Sequence, residues 1–394
     1  MNELDTFRAE VRAWLEANYP PSLRTPPQEG EIPMASSKIE FKSEDARLWY
    51  ERMRDKGWLA PDWPTAFGGA GLDSARTRIV EVELTRAGCR PPLVSLGIWM
   101  IGPVLLEFGT DEQKSTFLPG TGRGEIGWCQ GFSEPNAGSD LASLKMSAVR
   151  EGDDFIVNGS KIWTSYAFLA DQMYALVRTS NEGTKQQGIT MVLIDMKASG
   201  VTVRPIDLIS GKSSFCQVFF DNVRVPVKNM VGPLNGGWGV AKRLLTFERK
   251  AMSKFAELNL PGPSLVPVVK KALGDANGRI SSAVMRDKVA GLEIETHVQG
   301  LTQQRIVEMM KSGKDVTNVS ATMKYQLSDT LKKGSETMVA ALGLQGLGWE
   351  SEGFAKDELE ATKQWLNDKA HSIAGGSSEV QLNIIAKRVL GLPE

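Results

Sequence analysis

The hydrophobic pattern changes character twice along this chain of 394 residues, and the order of the changes limits the folds it can adopt. In the first third, apolar residues recur at helical spacing, as Leu4, Phe7 and Val11 show. From about 128 to 231, short runs rich in β-branched and aromatic residues alternate with turn signals. From about 238, long helical patterns return. We therefore predict a multidomain α+β protein with an N-terminal helical domain, a middle antiparallel β-barrel and a C-terminal helical bundle.

The predicted domains cover residues 1–127, 128–232 and 233–394. In the first, helices are expected at about 4–19, 44–57, 74–88, 94–108 and 111–117. In the second, strands are expected at about 173–179, 188–195, 201–206 and 215–221, a spacing typical of a small antiparallel barrel or sandwich. In the third, helices are expected at about 238–256, 279–312, 317–341 and 355–370, followed by a last helix from Ser377 or Ser378 to near 391.

Composition excludes several classes of function. Charged residues make up 24% of the chain and the net charge is −1, so no basic surplus attracts nucleic acid or an anionic membrane. No run approaches the ~20 apolar residues of a transmembrane helix, and the N-terminus lacks a secretory signal pattern. Cys89, Cys129 and Cys216 form neither a disulfide framework nor a metal pattern, and His297 and His371 cannot build a metal site alone. We expect a cytoplasmic protein with reduced thiols, no metal, no nucleic-acid partner and no membrane insertion.

Two segments carry candidate chemistry. Residues 130–140, Gln-Gly-Phe-Ser-Glu-Pro-Asn-Ala-Gly-Ser-Asp, are rich in turn formers, and their hydroxyl and backbone N–H groups could bind a polar, anionic group. Residues 161–165, Lys-Ile-Trp-Thr-Ser, follow an Asn158-Gly159 pair, which predicts a turn. They place an indole and two hydroxyls on a strand, which suits a planar heteroaromatic ring. Taken singly, each segment could equally be an ordinary loop or hairpin.

In this order and spacing, the two segments resemble the flavin-binding middle domain of the acyl-CoA dehydrogenase family, and the resemblance extends over nearly the whole chain. The order helices, barrel, helices is also the domain order of that family. The resemblance implies an FAD-dependent α,β-dehydrogenation of an acyl-CoA thioester to the trans-2-enoyl-CoA. A carboxylate removes the α-proton while a hydride leaves the β-carbon for the flavin, and the electrons pass to an electron-transfer flavoprotein.

The resemblance also points to the general base. Many members place a glutamate in a C-terminal segment that corresponds to 373–381 here, where Gly375 occupies the glutamate position. Another branch, which includes isovaleryl-type and steroid-type dehydrogenases, places the base on the first long helix of the C-terminal domain, and the matching residue here is Glu248. Such a base must lie within hydrogen-bond reach of the α-carbon, and burial makes a carboxylate a better base.

The local sequence agrees with this role for Glu248, which lies beside an apolar helical stripe. The stripe consists of Val240, Leu244, Phe247, Ala251 and Phe255. The alternative is a solvated glutamate in an intrahelical ion pair, but none of its neighbours three or four residues away is basic. The adjacent Arg249 matches an arginine that organises the site in the family, although an ordinary surface arginine would give the same pattern.

Gly375 keeps a role in this scheme. In family members the backbone N–H at this position donates to the thioester carbonyl, beside a flavin ribityl hydroxyl, and stabilises the developing enolate as an oxyanion hole does. The missing side chain also leaves room for a bulkier acyl group, such as one derived from a steroid, a ring or a dicarboxylate. Carried over by position, the substrate contacts are Ser139, Arg249 and Gly375, and the cofactor contacts are Gln130, Phe132, Ser133, Gly138, Ser139, Trp163, Thr164, Ser165, Ser377 and Glu379. The last two lie at a predicted helix N-terminus, which favours a phosphate.

Two departures from the family pattern bear on assembly. Typical homotetrameric members lend an Arg-x-x-Phe-Gly element to the FAD diphosphate of a neighbouring subunit, and residues 270–276 lack it. They also lend a glutamine followed by Gly-Gly, whereas residues 340–346 are Ala-Ala-Leu-Gly-Leu-Gln-Gly. We therefore expect a tetramer, with an α2β2 assembly containing a homologous subunit as one form.

Two other functions fit the motifs. One is a flavin acyl-CoA oxidase that reduces oxygen, and the other is a non-catalytic subunit of a heteromeric dehydrogenase. Joint retention of Ser133, Trp163 and Glu248 argues against the non-catalytic subunit. Oxygen consumption without another electron acceptor would identify an oxidase, and anaerobic bleaching of the flavin by an acyl-CoA would exclude a structural subunit.

Overall fold

The computed structural model describes residues 2–25, 27, 30–259, 264–314, 316, 319–350 and 352–393, with the backbone alone at 249–259, 310–311 and 320. The chain divides into two compact units. The first comprises Met1–Ile206 and Ser214–Ala251, and the second comprises Asp207–Ser213 and Met252–Glu394. The division into three domains stays a prediction.

The helices of the first unit follow the predicted helices within a few residues. They are α1 Glu3–Asn18, α2 Glu44–Asp55, α3 Ser74–Arg86, α4 Gly102–Phe108, α5 Asp111–Gly122 and the first part of α6 Gly237–Asn259. Two predicted helices differ. Helix α5 continues to Gly122, beyond its predicted end at 117, and a π-helical turn at Gly97–Ile101 precedes α4. Pro103 lies in the first turn of α4 and has no N–H, so the ordinary α-helical hydrogen-bond ladder cannot run unbroken through this point.

The strands of the first unit form one mixed sheet. They are β1 Trp128–Gly131, β2 Ser147–Glu151, β3 Asp154–Ser165, β4 Gln172–Arg178, β5 Ile189–Asp195, β6 Val201–Ile206, β7 Phe215–Pro226 and β8 Met230–Val231. The strand order is β6-β7-β3-β2-β4-β5-β8, and β1 pairs with β4 outside this path.

The predicted antiparallel barrel is therefore wrong, although helices do precede and follow the strands in sequence, as predicted. β1 runs parallel to β4, β2 touches β4 in parallel register at Ser147 and Arg178, and no described pairing joins β6 to β8. The β2–β3 hairpin lies within the connection from β1 to β4, which makes that connection long enough for two parallel neighbours. Short alternating runs occur in open sheets and in closed barrels alike, so their spacing could not separate the two.

Strands β4 and β5 are buried on both faces of the sheet. One face carries Tyr174 and Leu193, which belong to a core shared with the helical residues Leu105 and Leu244. The opposite face carries Met173 and residues packed against β3 and β7. A strand that is covered on both sides has a mostly apolar sequence, as residues 173–177 of β4 and 191–194 of β5 have.

The second unit is a set of helices. It contains the end of α6, then α7 Val266–Leu273, α8 Ala283–Lys311, α9 Ser320–Leu342, α10 Lys356–Asp368 and α11 Ser378–Ile384. A short hairpin, β9 Asp275–Ala276 and β10 Arg279–Ile280, was not predicted and delays the start of α8. Asn277 and Gly278 both have positive φ, at 53° and 78°, as a tight hairpin turn requires. No helix in the described ranges is both long and apolar enough to cross a membrane.

Candidate active site

The two segments singled out by the sequence lie against each other in the first unit. The backbone N–H of Ile162 donates to the carbonyl oxygen of Ser133 at 2.9 Å. The preceding residue, Lys161, donates from its ammonium to the carbonyl oxygen of Phe132 at 3.2 Å. The loop after β1 thus meets β3 immediately before the indole of Trp163.

A buried ion pair, which the sequence analysis missed, joins the same two segments. Lys161 is completely buried, Glu134 is 9% exposed, and their Nζ and Oε1 atoms are 2.8 Å apart. Glu134 also accepts hydrogen bonds from the backbone N–H groups of Lys145, at 2.7 Å, and Met146, at 2.9 Å. Burial lowers the pKa of Lys161 to about 8, although the charge of Glu134 opposes the shift. A buried ion persists only when it is paired and hydrogen-bonded, so the pair holds the loop in one shape.

Trp163 follows this ion pair in an unusual conformation. Its φ is +59°, a region that non-glycine residues seldom occupy, and the strand register shifts between Lys161 and Thr164. The indole is 55% exposed and packs edge-on against Phe215, with ring centroids 6.2 Å apart. A strained backbone of this kind persists where the surroundings hold it. The result is an indole with one large surface open, on a backbone that its surroundings hold.

The next residue supplies an orphan polar atom. Thr164 is 1% exposed, and its Oγ1 makes no hydrogen bond within the described part of the chain. A buried hydroxyl without a partner costs free energy, so a ligand group could satisfy it. Ser165 is half-buried and lies opposite Phe215 in the β3–β7 ladder. An exposed indole beside an orphan hydroxyl fits a planar ring with polar edges, as the expected flavin has.

Tyr174 connects the loop to the helical side of the first unit. Its hydroxyl donates to Oε1 of Gln130 at 3.2 Å. The ring of Phe132 is buried and meets Tyr174 edge-on, with centroids 6.0 Å apart. The Phe132 ring is therefore part of the core, which leaves its backbone as the part that could contact a cofactor.

Glu248 lies on α6 near this tyrosine. Its side chain is half-buried and its Oε2 oxygen is buried. The pKa of Tyr174 is raised, first by burial of the phenol and then by the charge of Glu248. The two side chains thus interact electrostatically, and the same phenol contacts Gln130. Val240 and Leu244 of the predicted stripe are buried, whereas the Arg249 side chain lies outside the part that the structure describes.

Gly138 and Ser139 lie in an exposed turn of the first unit. No heavy atom lies within 4 Å of where a Cβ of Gly138 would be. The next residue, Asp140, pairs with Lys185 at 2.6 Å and accepts a hydrogen bond from the Ser143 hydroxyl at 2.5 Å. These contacts hold the turn from its far end and leave the predicted contact residues open to solvent.

The remaining predicted residues belong to the second unit. Gly375 lies in an exposed turn with φ of +66°, and a Cβ there would meet no heavy atom within 4 Å. The left-handed backbone favours glycine at this position. The Ser377 hydroxyl caps α11 by accepting from the Val380 N–H at 3.4 Å. Glu379 is exposed in the first turn, where its own backbone N–H and the Ser377 hydroxyl lower its pKa.

Comparison with known proteins assigns the chain to a family. Residues 1–125, 129–223 and 235–390 match family models described as the N-terminal, middle and C-terminal domains of acyl-CoA dehydrogenase. The chain is 32% identical over 395 residues to acyl-CoA dehydrogenase IpdE1 of Mycobacterium tuberculosis, covering 100% of this chain and 99% of that protein. The chain belongs to the acyl-CoA dehydrogenase family.

A second relative and a solved structure agree. The chain is 36% identical over 363 residues to acyl-CoA dehydrogenase FadE34 of Mycobacterium tuberculosis, covering 92% of this chain but 48% of that protein. It thus spans about half the length of that relative. The structure of the Tcur3481-Tcur3483 steroid ACAD matches with a TM-score of 0.75 at 28% identity, covering 99% of this chain and 98% of that one. The predicted family and the prediction of an oxidoreductase enzyme are confirmed.

Within this acyl-CoA dehydrogenase framework, the individual residue roles stay predictions. The first unit contains Gln130, Phe132, Ser133, Gly138, Ser139, Trp163, Thr164, Ser165 and Glu248, and the second contains Gly375, Ser377 and Glu379. The sequence analysis missed Glu134, Lys161 and Tyr174, whose contacts connect the first group. Among the residues whose side chains are described, no group of three or more His, Cys, Asp or Glu could hold a metal ion.

The segment that departs from the acyl-CoA dehydrogenase pattern, residues 270–276, ends α7 and opens the β9–β10 hairpin. Lys270 pairs with Asp275 at 3.1 Å and donates to the carbonyl oxygen of Gly278 at 2.6 Å. Lys271 pairs with Asp357 at 3.4 Å, and both side chains are exposed. Both lysines of this segment are thus engaged with groups of their own unit.

Proposed function

We propose that the chain is an FAD-dependent acyl-CoA dehydrogenase that oxidises an acyl-CoA thioester to the trans-2-enoyl-CoA, with Glu248 as the general base. The observation that supports this most directly is the position of Glu248. Its Oε2 oxygen is buried, and its charge acts on Tyr174. The hydroxyl of Tyr174 in turn donates to Gln130, one of the predicted cofactor residues. A solvated surface glutamate would have none of these features.

The proposed roles differ between the residues of the first unit. When bound, FAD supplies the acceptor for the hydride that leaves the β-carbon. Trp163 would cover one face of its ring system, and the hydroxyls of Thr164 and Ser165 would bind its polar edge. Glu248 would take the α-proton onto a carboxylate oxygen, and partial burial keeps water from competing for that proton.

In the second unit, the proposed roles belong to the exposed turn at Gly375 and to the residues that follow it. The backbone N–H of Gly375 would donate to the thioester carbonyl, where negative charge develops as the α-proton leaves. Ser377 and Glu379 follow as cofactor contacts, and Ser139 and Arg249 complete the proposed substrate contacts. Each of these roles rests on the position of the residue in the family pattern.

The proposed substrate carries a bulky acyl group, derived from a steroid, a ring or a dicarboxylate. Gly375 supports this, because the space beside it is open to at least 4 Å where other members carry a glutamate side chain. The similarity to a structure described as a steroid ACAD supports the same class. The proposed electron acceptor is an electron-transfer flavoprotein.

The proposed assembly is a tetramer with a homologous partner subunit. FAD carries a diphosphate whose charge must be met by donors or cations. Lys270 and Lys271 occupy the segment where typical members have the arginine element, and both already contact acceptors in their own unit. In a homomer, symmetry would repeat the same arrangement at every site. The similar Tcur3481-Tcur3483 structure joins two protein names, which agrees with a pair of different subunits.

The proposed location is the cytoplasm, where cysteines normally stay reduced. The described thiols Cys89, Cys129 and Cys216 are all free, which agrees with this location. Burial raises the pKa of Cys89 to about 11, so little reactive thiolate is present at neutral pH.

The decisive experiment is anaerobic titration of the purified, FAD-loaded protein with a panel of acyl-CoA thioesters. We expect the flavin absorbance to bleach with at least one bulky acyl-CoA and to be restored by an artificial electron acceptor. Failure of every thioester, alone and with a homologous subunit present, would overturn the dehydrogenase proposal. Stoichiometric oxygen consumption in air without another acceptor would instead identify an oxidase.

The assembly is tested separately by measuring flavin content and molecular mass of the chain expressed alone. We expect incomplete FAD occupancy until the homologous subunit is added. A homotetramer with one tightly held FAD per chain and full turnover would contradict the heteromeric assembly while leaving the dehydrogenase activity intact.

A further inference from the structure

The turn that contains Gly375 is exposed and rich in glycine. It connects the 3-10 turn Lys369–Ser372, which follows α10, to α11, and it contains two left-handed glycines, with φ of +66° at Gly375 and +92° at Gly376. Ile373, within the turn, is 71% exposed. Glycine loses more conformational freedom on folding than any other residue, so an exposed turn with two glycines needs an external hold to keep one shape.

A lysine on a neighbouring helix supplies such a hold. Lys324 lies in α9, and its ammonium donates to the carbonyl oxygen of His371 at 2.9 Å and to that of Gly376 at 2.7 Å. The two acceptors lie at the two ends of the turn, five residues apart. One cation therefore connects both ends of the segment that presents the Gly375 N–H.

The surroundings of Lys324 agree with a structural use of its charge. The side chain is half-buried, and burial, followed by the charge of Lys332, lowers the pKa of Lys324, while the charge of Glu379 partly offsets the shift. Another lysine of the same helix, Lys333, is exposed and pairs instead with the carboxylates of Glu295 and Asp329, each at 2.9 Å. Hydrogen bonds from an ammonium to carbonyl oxygens are charge-assisted and directional, which suits the positioning of a backbone.

The first half of the turn has its own contacts. The N–H groups of Ile373 and Ala374 both donate to the carbonyl oxygen of Ala370 at 2.9 Å. His371 lies 3.3 Å from the buried carboxylate of Asp368. These bonds hold the chain up to Ala374, so the bond from Lys324 to Gly376 acts on the half that contains both glycines.

We propose that Lys324 is a positioning residue that holds the 371–376 turn in the conformation in which the Gly375 N–H can meet the thioester carbonyl. The inference rests on the proposed function for the identity of that carbonyl, whereas the hold itself is a property of the second unit alone. Lys324 touches neither substrate nor cofactor in this scheme, and it acts through the backbone it orders. Misplacing a catalytic donor by about 1 Å can cost ~10²-fold in rate.

The test uses the full chain, FAD-loaded and with its homologous subunit where activity requires one. Lys324→Met keeps the side-chain length and removes the donors, Lys324→Arg keeps a cation, and Lys333→Met is the matched control on the same helix. Hydrogen-deuterium exchange is measured on peptides that cover 369–379, and circular dichroism establishes that each variant is folded. The steady-state rate and KM are measured with the best acyl-CoA of the panel.

We expect Lys324→Met to exchange the amides of 373–377 at least several-fold faster than wild type, with Lys333→Met unchanged. At saturating acyl-CoA its rate should fall roughly 10- to 100-fold with a much smaller change in KM, because the lost interaction acts on developing charge. Lys324→Arg should recover part of the protection and part of the rate. Unchanged exchange in a folded Lys324→Met variant would overturn the hold.

Faster exchange with an unchanged rate would overturn the positioning role. If Lys324→Met does not fold, amide exchange in Lys324→Arg decides. In that variant the amides of 373–377 must exchange faster than in the wild type but keep part of their protection. If the wild-type protein oxidises no acyl-CoA, the proposed function fails, and the exchange data still decide whether Lys324 holds the turn.

Discussion

The segment around Trp163 in the first unit and the turn around Gly375 in the second both hold a residue with positive φ, but they do so by different means. Trp163 carries a large side chain in a conformation that costs free energy, and a buried ion pair, Glu134 with Lys161, lies directly beside it. Gly375 adopts its left-handed conformation without steric cost, and a half-buried lysine that contacts two carbonyl oxygens holds its turn.

The difference teaches which kind of anchor each problem needs. Steric strain must be balanced by surroundings that leave no alternative, and a buried, hydrogen-bonded ion pair provides this. A glycine turn has no steric strain and only loses conformational entropy when it is ordered, so a pair of hydrogen bonds at its ends is enough to keep it in one conformation. We therefore expect the first region to dominate stability and cofactor retention, and the second to affect the rate with little effect on stability.

The largest expected effect concerns Glu248 in the first unit. Glu248→Gln keeps the side-chain volume and removes the basicity, so flavin reduction by acyl-CoA should slow by roughly 10²–10⁴-fold while flavin content stays unchanged. Stopped-flow absorbance under anaerobic conditions measures the rate. Nearly wild-type reduction in the variant would show that another carboxylate is the base, and the chemistry would then not depend on this region.

The anchor of the first region is tested by Glu134→Gln, which leaves the ammonium of Lys161 buried without its carboxylate. We expect a loss of about 3–5 kcal/mol in the free energy of unfolding, measured by urea denaturation. The double variant with Lys161→Met should be more stable than the single one, because no buried charge is left unpaired. If Lys324→Met destabilises the protein as much as Glu134→Gln does, the contrast between the two anchors is wrong.

Trp163→Ala tests whether the strained residue serves the cofactor or the core. Because the indole is 55% exposed, its removal should change the free energy of unfolding little, yet weaken flavin binding by on the order of 1–3 kcal/mol. The ratio of flavin to protein absorbance after gel filtration measures retention. Phe168→Ala is the matched control, since Phe168 lies five residues further along, between β3 and β4, and is 48% exposed, and its variant should keep its flavin. Equal retention in both variants would leave the indole without a role in binding.

The smallest expected effect is on acid stability in the first unit. Glu83 is buried, and the hydrogen bond from Arg12, at 2.7 Å, holds its pKa below the ordinary 4.5. A carboxylate with a lowered folded-state pKa contributes stability that is complete above 4.5 and is lost as the pH falls through the lowered value. Glu83→Gln should cost on the order of 1 kcal/mol at neutral pH and flatten the decline below about pH 4.5. Parallel declines for wild type and variant in urea titrations would contradict this.

Local features of the chain were sufficient to predict much of its organisation. Helical periodicity located α1, α2 and α3 within a few residues, because an amphipathic helix repeats its pattern over short distances. The largely apolar strands β4 and β5 were predicted to within one residue at each end. The sheet was predicted as a barrel because the spacing of strands does not reveal which strands become neighbours. The parallel pairing of β1 with β4 depends on contacts 44 residues apart.

The site divides in the same way. The sequence by itself determined the family and the two segments with their indole and hydroxyls, since each depends on residue type at a known spacing, and the family resemblance then implied Glu248 rather than Gly375 as the candidate base. Only the tertiary structure showed that Lys161 pairs with Glu134, 27 residues away, and that Lys324 reaches carbonyl oxygens 47 and 52 residues further along. A lysine in a sequence looks the same whether it is solvated or buried, because the burial and the partner that define its role are supplied by distant parts of the chain.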